Sequence, residues 1–244
     1  MSNKRYILIV GASSGIGAAT AKALSNDETC IILMARRVDQ LITVQKSLVG
    51  ESIIAACDVC DNDQILRFFE SLKEKNIKLS AMIYTAGICY VKTVKMMEPG
   101  EIEEMFRVNV FGFYEMCRNF QSPKIANKGA SIIALSSYAS VSKETGMSAY
   151  AMTKSAMNTA VQVMAKEFIK REIRVNAILP GNTMSRMGSL SDDWTDEELE
   201  TINEIQNLGC VPVGEITKTI EFLLSDSALH ITGSLIEISG GYKG

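Results

Sequence analysis

Short apolar runs recur along the chain with little polar alternation, and amphipathic stretches of helical period lie between them. The runs are Tyr6–Val10, Cys30–Ala35, Ser52–Ala56, Ala81–Thr85, Ser131–Ser136, Arg174–Leu179 and Ser234–Ile238. Near-continuous Val, Ile and Leu is the pattern of strands covered on both faces of a parallel sheet. Helical spacing marks Gly17–Leu24, Gln64–Lys73, Ile102–Cys117 and Tyr150–Lys170. Strand–helix alternation over the whole length predicts an α/β fold: one doubly wound domain over residues 1–244, with a seven-stranded parallel sheet and helices on both faces. Ligands of such sheets bind beyond the carboxyl ends of the strands, so chemistry is sought in the turns that follow the apolar runs.

Composition narrows the function. Hydrophobic residues make up 47% and charged residues 22%, enough for a sizeable core in a soluble protein. A net charge of −3 leaves no basic excess to neutralise phosphates, which argues against nucleic acid as a partner. The run Tyr6–Val10 is too short for a signal-peptide core, and no later stretch is long and apolar enough for a membrane span. Most of the six cysteines stand singly in apolar runs, which suits reduced thiols and a cytoplasmic protein. Cys57 and Cys60 have C-x-x-C spacing. With no second pair at zinc-site spacing and one histidine, His230, they read as two residues at a strand end rather than a redox or metal pair.

The first run leads directly into Gly11-Ala12-Ser13-Ser14-Gly15-Ile16-Gly17, and a helix follows. Gly11 permits a sharp turn, Gly15 a close approach of backbone to a phosphate, and Gly17 tight packing of helix on strand. The free N–H groups of the first helical turn then face an anion. The second run ends in Ala35-Arg36-Arg37, where an NAD site usually offers a carboxylate to the ribose. Two arginines there are either a solvated pair at a helix start or a clamp for the 2′-phosphate of NADP.

Tyr150 and Lys154 are four apart, so on a helix they share a face. A phenol of ordinary pKa is a sluggish acid near neutrality, and an adjacent ammonium lowers that pKa and equips Tyr150 as a general acid/base. Ser136 and Ser137 end the preceding apolar run, and the helix would return Tyr150 over the same sheet edge.

The ordered set resembles the short-chain dehydrogenase/reductase family, which carries the G-x-x-x-G-x-G variant and a Ser-Tyr-Lys group. The resemblance covers essentially the whole chain and implies a Rossmann-like fold and an oxidoreductase moving a hydride between NADP(H), with NAD(H) the lesser alternative, and a carbonyl/alcohol pair. It implies that Ser137 orients the carbonyl oxygen, that Tyr150 is the acid/base, that Lys154 lowers the Tyr pKa and binds the nicotinamide ribose, and that Asn109 holds a proton-relay water. It further implies cofactor contacts from the Gly11–Gly17 loop (Ser13, Ser14 and Ile16 included), from Arg36 and Arg37, from Asp58 and Val59 at the adenine edge, from Ala86 and Gly87, from Pro180 and Gly181, and from Thr183 or Ser185. Thr85 stands where the family usually has Asn. Ile231-Thr232-Gly233 and Ser239-Gly240-Gly241-Tyr242 complete the likeness.

Residues 182–210 break the strand–helix pattern and correspond to the family's substrate lid. Met184, Met187, Leu190 and Trp194, beside an acidic helix Asp192–Glu204, suggest a partly apolar small-molecule substrate, or simply packing of the lid on the body. The chain is similar to 3-oxoacyl-carrier-protein reductases, whose basic residues dock an acidic carrier; Lys128 and Arg171 fall in comparable regions. Ile88-Cys89-Tyr90-Val91-Lys92 departs from their usual Thr-Arg-Asp, so hydroxysteroid, polyol and sugar dehydrogenases stay open, as does a non-catalytic nucleotide-binding regulator. The resemblance also implies a homotetramer or homodimer built on the helices at Ile102–Cys117 and Tyr150–Lys170.

Overall fold

A computed structural model describes residues 4–185 and 195–243. Strands β1 (Arg5–Val10), β2 (Thr29–Ala35), β3 (Glu51–Ala56), β4 (Leu79–Tyr84), β5 (Ala126–Leu135), β6 (Arg174–Pro180) and β7 (Leu235–Ile238) form one sheet in the order β3-β2-β1-β4-β5-β6-β7. Every neighbouring pair is parallel. The expected strands are all present, displaced by a residue or two at their ends; β5 begins earlier, at Ala126, and β4 stops at Tyr84 so that Thr85 starts the turn.

Both faces of the sheet are dry because successive residues feed different cores. Leu8 and Val10 pack with Met82, Tyr84, Ile132 and Ala134 against α3 (Asn62–Glu74), α5 (Phe113–Phe120) and α7 (Ser148–Glu167). Ile7 and Ile9 pack with Ala81, Ile83, Ile133 and Leu135 against α1 (Gly15–Leu24), α2 (Val38–Gln45) and α9 (Val213–Leu224). This explains why the runs are apolar at every position. On the first face the fully buried Tyr84 ring meets Phe113 edge-on at 5.4 Å, and its hydroxyl donates to the Val108 carbonyl at 2.5 Å, so the phenol is satisfied inside the core.

The helix expected at Ile102–Cys117 is present but is not uniformly α-helical. It is α4 (Pro99–Phe106), a π-helical turn at Arg107–Gly112, and α5. A wide turn carries an extra residue and cannot be read from apolar spacing, which the π-turn preserves on both sides. The helix expected at Tyr150–Lys170 is α7, which stops at Glu167 before a single 3-10 turn. The acidic helix is α8 (Asp196–Ile205); Asp192, Met187, Leu190 and Trp194 lie outside the described residues. A short helix α6 (Ala139–Ser142) follows β5. Among the described residues no helix is long and apolar enough to cross a membrane.

Crossovers run in opposite directions from β1 and from β4, which lie side by side. That reversal opens a crevice at their carboxyl ends.

Candidate active site

The crevice is a cleft of about 610 Å³. One wall is the turn from β1 into α1, where Gly11, Ser13, Ser14, Gly15, Ile16 and Gly17 all line it. Gly11 has φ 90°, and a Cβ there would stand 2.5 Å from the Ala86 nitrogen. A Cβ on Gly17 would strike the Gly11 carbonyl and lie 2.5 Å from Thr85 Oγ1. Two strand ends and a helix thus meet where no side chain fits. Ser14 is the N-cap of α1 but makes no side-chain capping bond, whereas Asp61, the N-cap of α3, accepts from Asp63 N at 2.9 Å and Gln64 N at 3.0 Å. The first N–H groups of α1 therefore lack the side-chain acceptor that α3 supplies for itself, and they are available to an anion.

At the β2 end, Arg36 and Arg37 line the cleft as exposed cations, and neither is in an ion pair among the described residues. Gln40, one turn into α2, also lines it, with a buried Oε1 that has no partner. Asp58 and Val59 follow β3; Asp58 Oδ1 accepts from Cys60 N at 3.0 Å, which fixes the turn. Ala86 and Gly87 follow β4, and Thr85 Oγ1 donates to the Val10 carbonyl at 2.8 Å, tying β4 to β1 in place of an Asn. Pro180 ends β6, and Gly181 and Thr183 follow it. Ser185 reaches across to the glycine turn, where its Oγ would lie 2.7 Å from a Cβ on Gly15.

The donor set fits a nicotinamide dinucleotide. A helix N-terminus with unengaged N–H groups suits a pyrophosphate, the Cβ-free turn admits it closely, and the orphaned Gln40 acceptor and two free guanidinium groups await a polar partner at the far end.

The reactive group stands at the other end of the cleft. Tyr150 and Lys154 project from the first turns of α7 and are 5% and 2% exposed. Lys154 Nζ lies 5.6 Å from the centre of the Tyr150 ring and donates to the Leu135 carbonyl at 2.8 Å. Ser137, just past β5, accepts from Ala139 N at 3.1 Å, and its side chain stands close enough to Tyr150 to pull the phenol's pKa down. Ser136 instead turns its hydroxyl to the Lys154 carbonyl, at 3.4 Å. Ser137, rather than Ser136, is the serine on the phenol side.

The pKa logic expected of this pair is corrected by burial. Desolvation pushes Tyr150 well above the usual phenol range, Cys89 pushes it the same way, and the Ser137 side chain pulls only partly back. Desolvation also takes Lys154 down to about 8. In the protein alone, loss of hydration outweighs the attraction of ammonium for phenolate, because both groups are shielded from water.

Asn109 does not line the cleft. It sits in the π-turn, fully buried, with Oδ1 accepting from Ile88 N at 2.9 Å and Nδ2 donating to the Ile88 carbonyl at 2.9 Å and to Thr153 Oγ1 at 3.0 Å. Thr153 Oγ1 in turn donates to the Tyr150 carbonyl at 2.7 Å. Asn109 thereby joins the loop after β4 to the helix bearing Tyr150, and both its amide hydrogens are committed.

Sequence reasoning missed Gln40 and Thr153, and read Cys57 only as a strand-end residue without placing it at the cleft. Cys57 lines the cleft as a buried free thiol, pushed up to about 11 by desolvation and neighbouring carboxylates. Among the described residues no cluster could hold a metal ion, and Cys60 is also free. Lys128 and Arg171 are engaged within the chain: Lys128 pairs with Glu172 at 2.7 Å, and Arg171 donates to the Gln121 and Ala126 carbonyls at 2.7 and 2.8 Å.

A family model described as enoyl-(acyl carrier protein) reductase matches residues 11–243. The chain is 28% identical to a 3-oxoacyl-[acyl-carrier-protein] reductase of Thermotoga maritima, over 97% of each. It is 28% identical to the 2,3-dihydro-2,3-dihydroxybenzoate dehydrogenase of Escherichia coli, over 97% of this chain and 96% of the other. A short-chain dehydrogenase/reductase from Serratia marcescens superposes with a TM-score of 0.89 at 22% identity, covering 100% of both chains.

Proposed function

The chain belongs to the short-chain dehydrogenase/reductase family, a nicotinamide-dependent oxidoreductase acting on CH–OH groups, and from that premise we propose that it is an NADP(H)-dependent carbonyl reductase with Tyr150 as its general acid/base. The observation that carries this reading is the meeting of Ser137, Tyr150 and Lys154 at one end of a cleft whose other end is the glycine turn and two free arginines.

When bound, the cofactor supplies or accepts the hydride. The chain's own residues do the rest. The turn at Gly11–Gly17 and the N-terminus of α1 hold the pyrophosphate. Arg36, with Arg37, would hold the 2′-phosphate, Asp58 and Val59 would flank the adenine, and Ala86, Gly87, Pro180, Gly181 and Thr183, which also line the cleft, would face the nicotinamide half. Tyr150, protonated by virtue of its burial, gives its proton to the nascent alkoxide, and Ser137 fixes the carbonyl oxygen beside it. Lys154, oriented by the Leu135 carbonyl, favours the resulting phenolate and reaches the ribose. Asn109 keeps the loop after Gly87 and α7 in register, and its remaining Oδ1 lone pair is the one position from which it can hold a relay water.

The substrate is a small carbonyl compound that is partly apolar. Met105, Ala139 and Ala149 cluster with Tyr150, and Ile88, Cys89, Tyr90, Met97 and Met147 pack around them. Residues 182–210 form the substrate lid in this reading. Relatives named for carrier-linked and for cyclic substrates are equally similar, so a free small molecule and a carrier-linked one both fit this reading. Phe111 and Tyr114, 61% and 54% exposed on the π-turn and α5, supply an apolar face for assembly into a dimer or tetramer. A 26.7 kDa species in sedimentation at micromolar concentration would argue against assembly.

The deciding experiment titrates the purified protein with NADPH and NADH, with Arg36→Asp in parallel. Preference for NADPH, reversed by the substitution, is expected, together with NADPH oxidation in a panel of neutral ketones. Equal binding of the two cofactors would make the arginines ordinary surface charges and overturn the NADP assignment.

A further inference from the structure

The segment that separates Ser137 from Tyr150 is held from outside the cleft by the last residues of the chain. The Tyr242 ring lies 5.2 Å from the Tyr138 ring, and burial together with the neighbouring Glu144 carboxylate pushes its phenol pKa up. Glu144 accepts from Ser142 Oγ at 2.9 Å. Tyr138, immediately after Ser137, is tied by its own N–H to the Pro180 carbonyl at 2.8 Å. Tyr242 therefore touches the catalytic segment at two places, beside Ser137 and at the approach to α7.

The same tail is woven into the end of α8. Tyr242 pairs with Gln206 as an antiparallel bridge. Leu208 N donates to the Gly240 carbonyl at 2.8 Å, and Lys243 N to the Ile205 carbonyl at 2.8 Å. Gln206 is fully buried; its Oε1 accepts from Asn182 N at 3.0 Å, and its Nε2 donates to the Asn182 carbonyl at 3.2 Å and to the Gly209 carbonyl. Close approach is possible because Gly240 has φ 63° and a Cβ there would stand 2.7 Å from Gln206 Nε2.

We propose that Tyr242 is a positioning residue for catalysis: through Tyr138 and Glu144 it sets the Ser137–Tyr150 segment against α8, and so fixes where a carbonyl substrate sits relative to the phenol. The inference rests on the carbonyl-reductase reading of the cleft. Tyr242 is absent from the residues lining the cleft, so it acts through Tyr138 and Glu144 rather than by touching cofactor or substrate.

The test compares Tyr242→Phe, Glu144→Ala, Glu144→Gln and the double variant Tyr242→Phe/Glu144→Ala. Two readouts are used: steady-state kinetics with NADPH and a ketone reduced by the wild type, and hydrogen exchange of peptides covering 137–149, 196–208 and 7–24. Tyr242→Phe and Glu144→Ala should each lower kcat/KM for the ketone by about tenfold, mostly through KM, with NADPH affinity within about twofold of wild type. The double variant should lose no more than either single one, and Glu144→Gln, which keeps a carbonyl oxygen beside the phenol, should retain most of the activity. Exchange should quicken in 137–149 and 196–208 and stay unchanged in 7–24. Losses that multiply, an NADPH affinity that falls with the ketone's, or unchanged kinetics and exchange would overturn the proposal. A wild type that reduces no ketone would sink the reductase reading separately. Exchange alone would then decide whether Tyr242 ties the two segments: faster exchange in both supports it, and unchanged exchange overturns it.

Discussion

Lys154 Nζ lies 5.6 Å from the centre of the Tyr150 ring while donating to the Leu135 carbonyl. The strand end thus aims the ammonium group, and burial sets when it is charged. With Lys154 at about 8 and Tyr150 held protonated well beyond its usual range, the protein has both protons below pH 8 and only the phenol's above it. The kcat/KM for NADPH reports the free enzyme, so it should fall above about pH 8. A plateau continuing a further two units would show that Lys154 keeps its charge. Stability has the opposite sign. Between about 8 and the reference value of 10.5 the unfolded chain binds a proton at this lysine that the folded chain does not, so this residue's contribution to stability rises with pH across that window. Cysteines with raised folded pKa, Cys57 and Cys89 at about 11 among them, pull wild-type stability the other way over much of this range, so what should rise is the stability of wild type relative to Lys154→Met, read by urea unfolding at the two ends of the window.

Tyr150→Phe keeps the ring that packs with Met105, Ala139 and Ala149 and removes only the hydroxyl that meets Ser137. Loss of a positioned proton donor should cost kcat on the order of 10²–10⁴-fold, with NADPH affinity and the unfolding midpoint close to wild type. Near-normal turnover in this variant would end the assignment of Tyr150.

Gly17→Ala separates packing from helix propensity. Ala is the better helix former by roughly 1 kcal/mol, so an unhindered site would gain stability. Here the added methyl meets the Gly11 carbonyl and Thr85 Oγ1, and α1 must back away from the ends of β1 and β4. The expected result is a net loss of about 1–3 kcal/mol in chemical denaturation and NADPH binding weakened by at least about tenfold. A stabilised variant with unchanged affinity would mean that the turn has room to spare.

The sheet was legible in the sequence because burial on both faces makes every position of a strand apolar, as in β1, where Leu8 and Ile9 face different cores. The cleft was legible because its requirements are local: glycines where no Cβ fits, and cations at the end of β2. What stayed hidden depends on contacts remote in sequence. The π-turn keeps the apolar spacing of its flanking helices, so nothing in Ile102–Cys117 announces it, yet it carries the Asn109 that bonds to Ile88 and Thr153. The downward shift of Lys154 follows from burial, which spacing to Tyr150 does not report. Tyr242 read only as part of a glycine-rich ending, because its partners Tyr138 and Glu144 lie about a hundred residues earlier.

Asn109→Asp should turn that hidden bond into a pH-dependent one. The isosteric carboxylate can still accept from Ile88 N, but its second oxygen faces the Ile88 carbonyl and Thr153 Oγ1, where an amide donated. Fully buried beside a carbonyl, the new acid is favoured in its protonated form, which can donate, so its folded pKa rises above the unfolded value of about 3.9. The folded state then binds the proton more tightly. Stability closest to wild type is expected below that unfolded value, and it should decline as pH rises toward the folded pKa. Near neutrality the loss should be at least the roughly 1–3 kcal/mol of an unsatisfied buried group. Asn109→Ala should lose a comparable amount without the added pH dependence. Unfolding midpoints of both variants across the acid range decide the matter, and parallel curves for Asp and Ala would show that the site admits water around residue 109.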